Sequence, residues 1–214
     1  SRVAVHPLRQ RQQIGQQMIA RAKAHAGLTA DYLSVSFGFT DELWNFWTSC
    51  GFVLVRVGSH REASSGCYTA MALLPLTAHG EALTAHERRR LQRDVIWLQP
   101  WIEDRLPVIA CEEATLNSDD WQELAGFAFG HRPLEACLGS LNRLLLTSDL
   151  PLNALRGRVQ QRSNIEMLCQ QLRISGRKAL LNVMRHEAQK ALEKLDEQQT
   201  VSLKNTLLQL QFFN

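Results

Sequence analysis

Strand signals occupy only the first third of this chain, and after Pro75 the apolar pattern turns helical and stays so. That division restricts the fold to a small sheet followed by a helical body, an α+β arrangement. Val3, Ala4 and Val5 favour a short strand, which Pro7 ends by biasing His6 toward extended geometry and by lacking a ladder donor. From Gln12 a helix is expected, with Ile14, Met18, Ile19 and Ala22 on one face and Gly15 in its first turn. Tyr32 to Gly38 alternates as a strand, and Thr40 suits the cap of a helix whose first turn carries Asp41 and Glu42. Leu43, Phe46, Trp47 and Cys50 form its buried stripe, and Gly51 fits the left-handed position after it. Two further strands, Phe52 to Val57 and Cys67 to Leu74, flank a polar loop from Gly58 to Gly66.

Helices are expected near Thr84 to Gln99, Ser118 to Phe129, Pro133 to Thr147, Leu152 to Gln161, Asn164 to Ile174, Gly176 to Asp196 and Val201 to Leu210. Ser118 before Asp119 and Asp120, a Ser-x-x-Glu capping box at Ser163 and Glu166, Pro133 at a first position and Gly130 at a stop supply the punctuation. A division at 78/79 follows: residues 1–78 hold the sheet and 79–214 form an all-α tail.

Charge is unevenly spread along the chain. From Glu81 to Glu123 there are five Arg or Lys against ten Asp or Glu, whereas from Arg143 to Arg185 there are eight against two. The basic set, Arg143, Arg156, Arg158, Arg162, Arg173, Arg177, Lys178 and Arg185, is a candidate phosphate-binding face, with a solvated helical surface as the plainer alternative. Five cysteines without Cys-x-x-Cys spacing argue against zinc and against a disulfide framework, and point to reduced, mostly buried thiols. His25, His79, His86, His131 and His186 lack a second ligand at metal spacing, so no metal site is expected. No apolar run approaches the roughly 20 residues that cross a bilayer.

The turn Gln10-Arg11-Gln12-Gln13-Ile14-Gly15 resembles motif A of the GNAT acetyltransferases, which reads Gln or Arg, two residues, Gly, one residue, then Gly or Ala. Strand, helix, strand, strand is the C-terminal half of that fold. The resemblance narrows in Leu33-Ser34-Val35-Ser36-Phe37-Gly38, Glu42-Leu43-Trp44-Asn45-Phe46-Trp47, Cys50-Gly51-Phe52-Val53-Leu54-Val55-Arg56 and His60-Arg61-Glu62-Ala63-Ser64-Ser65-Gly66-Cys67-Tyr68. With Asp119-Asp120-Trp121, His131-Arg132-Pro133-Leu134 and Ala154-Leu155-Arg156-Gly157-Arg158, these look like the bacterial tRNA(Met) cytidine acetyltransferase family over nearly the whole chain.

That resemblance implies an acyltransferase that transfers acetyl from acetyl-CoA to the N4 amine of the wobble cytidine in elongator tRNA(Met), forming N4-acetylcytidine in the cytoplasm. ATP or GTP with Mg would be hydrolysed by a separate module. The chain opens almost directly into a strand at Ser1-Arg2, lacks the three strands and two helices that precede motif A, and has no Gly-x-x-x-x-Gly-Lys-Ser/Thr stretch. It is expected to be a C-terminal fragment, inactive alone, with helicase-like and GNAT segments of the same protein as partners beside tRNA(Met).

Carried over residue by residue, the resemblance places Val3, Ala4, Val5, Gln10, Arg11, Gln12, Gln13, Ile14, Gly15, Gln16 and Glu42 at the cofactor. Gln13 stands where the pattern has its first glycine, and Ser49 where the family usually carries an arginine. Weaker coenzyme A binding, or phosphates held by Arg9 and Arg11, are both consistent with those departures. The amine of cytosine is a poor nucleophile and needs a base beside the thioester. His6, in the His-Pro pair implicated in the family's activity, is the candidate, against the plainer role of a strand-end histidine bonded to a neighbouring carbonyl. His60 and Arg61 are placed in a loop that approaches RNA or is simply exposed, and Arg156, Arg158, Arg162, Arg173, Arg177 and Lys178 are expected to bind it. Two rival readings stand beside this one: a non-catalytic RNA-binding or scaffold fragment, and a GNAT enzyme acting on protein amines.

Overall fold

The computed structural model of the chain describes residues 3–27 and 29–212. Ser1 and Arg2, where the first strand is expected to begin, lie outside them. In order come α1 (Ile14–Ala26), β1 (Tyr32–Gly38), α2 (Asp41–Ser49), β2 (Val53–Arg61), β3 (Tyr68–Pro75), α3 (Ala78–Leu98), α4 (Ser118–Phe129), α5 (Leu138–Thr147), α6 (Asn153–Leu155), α7 (Ile165–Leu172), α8 (Arg177–Leu195) and α9 (Glu197–Phe212). Residues 1–93 with 99–111 form one compact unit, and residues 94–98 with 112–214 form another. The 78/79 division coincides with the start of α3, whose residues through Arg93 pack with the sheet unit.

In the first unit the sheet has the order β1-β3-β2 and is antiparallel throughout. β3 takes the centre because Ala70, Ala72, Leu73 and Leu74 tolerate cover on both sides; all four are buried. Against it pack Ile19 of α1 and Trp47 of α2, with Phe52, Leu33, Val35 and Phe37. The Trp47 ring lies 5.0 Å from Phe46 and 5.1 Å from Phe52, both edge to face. Such pairs add about 0.5–1.5 kcal/mol each beyond their buried area. Thr40 caps α2 by accepting from the Leu43 N–H at 3.2 Å. Gly51, at φ 88°, closes the helix: its N–H reaches the Thr48 carbonyl and that of Phe52 reaches Trp47.

Two expectations for this unit are corrected. Val3 to Val5 form no strand, for a run this short before Pro7 offers few ladder bonds, and the Val5 carbonyl accepts instead from the Gln10 side chain at 3.2 Å. β2 runs on to Arg61, so His60 and Arg61 are strand residues and not part of the loop. Register shifts between Leu54 and Arg56 and between Val57 and Arg61 carry the extra length.

In the second unit α4, α5, α6 and α8 surround a core of Leu124, Phe127, Leu141, Leu144, Leu155, Leu180 and Leu192, each 1% exposed or less. The expected helix over 133–147 is divided, with a 3-10 turn at Leu134–Ala136 before α5. The one over 152–161 becomes α6 and a single π turn, Arg156–Gln160. Asn117 caps α4 in a capping box with Asp120, and Asn164 caps α7. Each is one residue beside the serine expected, because an asparagine carbonyl reaches the same amides. The last helix extends to Glu197–Phe212, and α3 starts six residues before Thr84.

Candidate functional site

α1 begins without a side-chain cap, and its N-cap residue Gln13 lies in the left-handed region at φ 61°. The chain thus keeps the turn that a glycine would make there, with a strain of roughly 1–2 kcal/mol for the added Cβ. Arg11 does the same at φ 59°. Glutamines tie the turn down: Gln10 to the Val5 carbonyl, Gln12 to the Leu8 carbonyl at 3.4 Å, and Arg9 to Gln12 at 3.3 Å. No side chain of the N-cap residue accepts from the first-turn amides of α1, which carry the positive end of the helix dipole.

Of the residues expected at the cofactor, Val3, Val5, Gln10, Arg11, Gln13, Ile14, Gly15, Gln16 and Glu42 line one cavity of about 620 Å³. Ala4 and Gln12 do not line it. Arg9, Leu43 and Phe46 do. Leu43 and Phe46 read as core in the sequence, yet Leu43 is 41% exposed, and Phe46 follows Glu42 by one helical turn on the same side of α2. Gly15 lets α1 close on α2, since a Cβ there would meet the Phe46 ring at 3.0 Å. Ser49 accepts from Gln16 at 3.0 Å and donates to the Phe46 carbonyl at 2.7 Å, which binds α2 to α1. Arg11 and Glu42 stand 3.9 Å apart, both almost fully exposed, a contact that contributes little to stability.

An uncapped helix start, two left-handed residues and two rim arginines suit a pyrophosphate, and an apolar side of Ile14, Leu43 and Phe46 suits an uncharged thioester arm. His6 is exposed and does not line the cavity. Its Nδ1 accepts from the Leu8 N–H at 3.3 Å, ahead of Pro7 in a 3-10 turn. That bond takes the Nδ1 lone pair, so the ring bonds an amide and not the carbonyl of the plainer reading.

Arg61 is held within its unit: it donates to Glu103 at 2.7 Å and to the Gly66 carbonyl at 2.8 Å, and lies 4.9 Å over the Tyr68 ring.

The basic set of the helical unit divides. Arg143 is 1% exposed and donates to Asp120 and Asp94, so it belongs to the core and leaves the phosphate-binding face. Ser140 donates into the same carboxylate cluster, 2.9 Å from Asp120 and 2.7 Å from Glu123. Arg185 packs its guanidinium over Phe127 at 5.8 Å. Arg156 is half-buried and donates to the Leu145 carbonyl at 3.0 Å. Arg158 reaches the Ser163 carbonyl at 3.2 Å, and burial holds its guanidinium below the usual arginine value. Arg162 and Arg173 flank α7, both exposed and both at φ 54°. Arg177 and Lys178 open α8 and are exposed. Arg158 and Arg177 share a cavity of about 550 Å³ with Asn164, Glu166, Cys169 and Gly176, which carried no binding signal in the sequence. Elsewhere in the unit burial pushes the Cys137 thiol up to about 12, and all five cysteines are free.

Sheet order, the helix start at the cavity and the α+β division define the C-terminal half of a GNAT acetyltransferase sheet joined to an all-helical unit. Residues 2–77 match the family model described as GNAT acetyltransferase 2, and residues 80–198 match that of a tRNA-binding domain. The chain is 55% identical over 214 residues to the tRNA(Met) cytidine acetyltransferase TmcA of Citrobacter koseri, covering 100% of this chain and 32% of that protein. It is 57% identical over 207 residues to the protein of the same name from Salmonella typhimurium, covering 97% and 31%. To the one from Haemophilus influenzae it is 40% identical over 150 residues, covering 68% and 22%. The chain belongs to the family of that tRNA-binding domain, whose model covers more than half of it, and it spans about a third of the length of the first of these curated relatives. Among the described residues no helix is long and apolar enough to cross a membrane.

Proposed function

We propose that this chain holds acetyl-CoA and tRNA(Met) for acetyl transfer to N4 of the wobble cytidine, giving N4-acetylcytidine in the cytoplasm. The observation that carries the reading is the single cavity that gathers the motif-A turn, the α1 start and Glu42. Val3, Ala4, Val5, Gln10, Arg11, Gln12, Gln13, Ile14, Gly15, Gln16 and Glu42 are assigned to the cofactor, which when bound supplies an activated acetyl thioester. First-turn amides of α1 and the guanidinium groups of Arg9 and Arg11 would hold its phosphates, and Phe46 would cover its arm. His6 would accept the amine proton as the new bond forms. For this it must exchange its 3.3 Å bond from Leu8, a long one, for a bond to the substrate. Arg156, Arg158, Arg162, Arg173, Arg177 and Lys178 would engage tRNA. Coupled hydrolysis of ATP or GTP with Mg is assigned to helicase-like segments of the whole protein, which with the remaining GNAT segments are this chain's partners.

The test is the full-length protein incubated with acetyl-CoA, ATP and tRNA(Met), with released nucleosides identified by mass. N4-acetylcytidine is expected from the wild type. A loss of about 10²–10⁴-fold is expected for His6→Ala with acetyl-CoA binding retained. No N4-acetylcytidine from the wild type overturns the reading; full activity of His6→Ala removes His6 from it. One observation favours a second reading, an RNA-binding piece without transfer activity of its own: Val3 to Val5 join no sheet.

A further inference from the structure

α8 starts at Arg177 after Gly176, which lies at φ 87° and provides no side-chain cap. No acidic residue stands in its first turn. The first-turn amides of a 19-residue helix are therefore left to an outside acceptor, with the helix dipole aimed at it. That alone makes no site. What distinguishes this one is a cleft of about 550 Å³ into which two arginines from different elements turn, Arg158 from the π turn and Arg177 from α8.

The two guanidinium groups repel one another, and burial adds to the burden on Arg158. Glu135 attracts Arg158, and the Ser163 carbonyl accepts from it, so that side of the cleft is partly compensated. Arg177 meets no carboxylate in an ion pair among the described residues. The carboxylate that lines the cleft, Glu166, stands in the first turn of α7, where it complements that helix, and Asn164 caps the same turn. α7 is thus satisfied from within, while the first turn of α8 carries no acidic residue and Arg177 adds a second positive charge beside Arg158. A tetrahedral anion with several acceptor oxygens answers all three donors at once.

We propose that this cleft seats one phosphodiester of the tRNA backbone, clasped between Arg158 and Arg177 over the first turn of α8. The inference rests on the tRNA-binding reading above and adds which arginines act and on what group. Arg156, tied to the Leu145 carbonyl, lies outside the cleft lining.

The experiment measures tRNA(Met) affinity of this chain across a salt series by fluorescence anisotropy, for the wild type, Arg177→Gln, Arg177→Lys and Lys190→Gln. Lys190 is an exposed residue farther along α8 and outside the cleft. Arg177→Gln is expected to bind about tenfold more weakly and to lower the slope of log affinity against log salt by about one. Arg177→Lys restores the slope but only part of the affinity, because an ammonium lacks the bidentate fork. Lys190→Gln stays near wild type.

If the wild type binds tRNA and Arg177→Gln matches Lys190→Gln, the cleft is not a backbone site and the inference falls while the tRNA reading stands. If the wild type does not bind tRNA at all, the reading itself falls and takes the inference with it. Inorganic phosphate, followed through the amide resonances of Gly176, Arg177 and Lys178, supplies the remaining arm. Saturable shifts without an Arg177 effect on tRNA would make the cleft a site for free anions and overturn the phosphodiester assignment.

Discussion

Arg143 shows how far a charged residue's role depends on what surrounds it. Its guanidinium, 1% exposed, donates to two carboxylates, Asp120 and Asp94, and is held among the buried residues by them. Arg143→Met should therefore lower unfolding stability by about 3–5 kcal/mol, read from the urea midpoint, because both carboxylates stay behind. A loss below about 1 kcal/mol would mean that water reaches the cluster. Glu187 makes a second case. Burial raises its carboxyl above the ordinary value of 4.5, although it accepts from the Ala154 and Leu155 amides at 3.0 and 2.8 Å. Between the unfolded and the raised folded value the folded state keeps a proton that the unfolded chain has released. Stability from this group therefore falls as pH rises through that window. Glu187→Gln should flatten the stability curve just above pH 4.5, measured by urea unfolding at stepped pH. An unchanged slope would assign the titration elsewhere. Neither role was legible in the sequence, where Arg143 is one more basic residue in a basic segment.

Element types followed from local signals, whereas element ends were decided by neighbours. Thr40 and Gly51 bracket α2 as their chemistry requires, and both ends match the expectation. The first strand fails because a strand exists only when paired, a condition Val3 to Val5 cannot carry in their own side chains. The π turn is equally hidden, since no residue of 156–160 marks it locally and it packs against α5, α6 and α7. Gly157 marks that contact: a Cβ would come within 2.6 Å of Leu168 Cδ1. Gly157→Ala should force α7 away from the π turn and cost about 1–3 kcal/mol by thermal unfolding. Wild-type stability would show that Leu168 changes rotamer freely.

For the chain as a whole, the α+β order and the turn that precedes α1 were legible because motif, cap and period act within a few residues. What the sequence could not order is the arginines, whose exposure depends on long-range packing: Arg143 and Arg185 turn inward, while Arg162, Arg173, Arg177 and Lys178 remain outside. The two functions are assigned to separate regions, the cofactor cavity in the sheet unit and the basic residues in the helical unit. The most direct test is calorimetric titration of this chain with tRNA(Met) at two salt concentrations, in the presence and absence of acetyl-CoA. The account predicts saturable acetyl-CoA binding that is weakly salt-dependent, and tRNA binding that falls steeply with salt as displaced counterions require. Absence of tRNA binding, or tRNA affinity indifferent to salt, would contradict it.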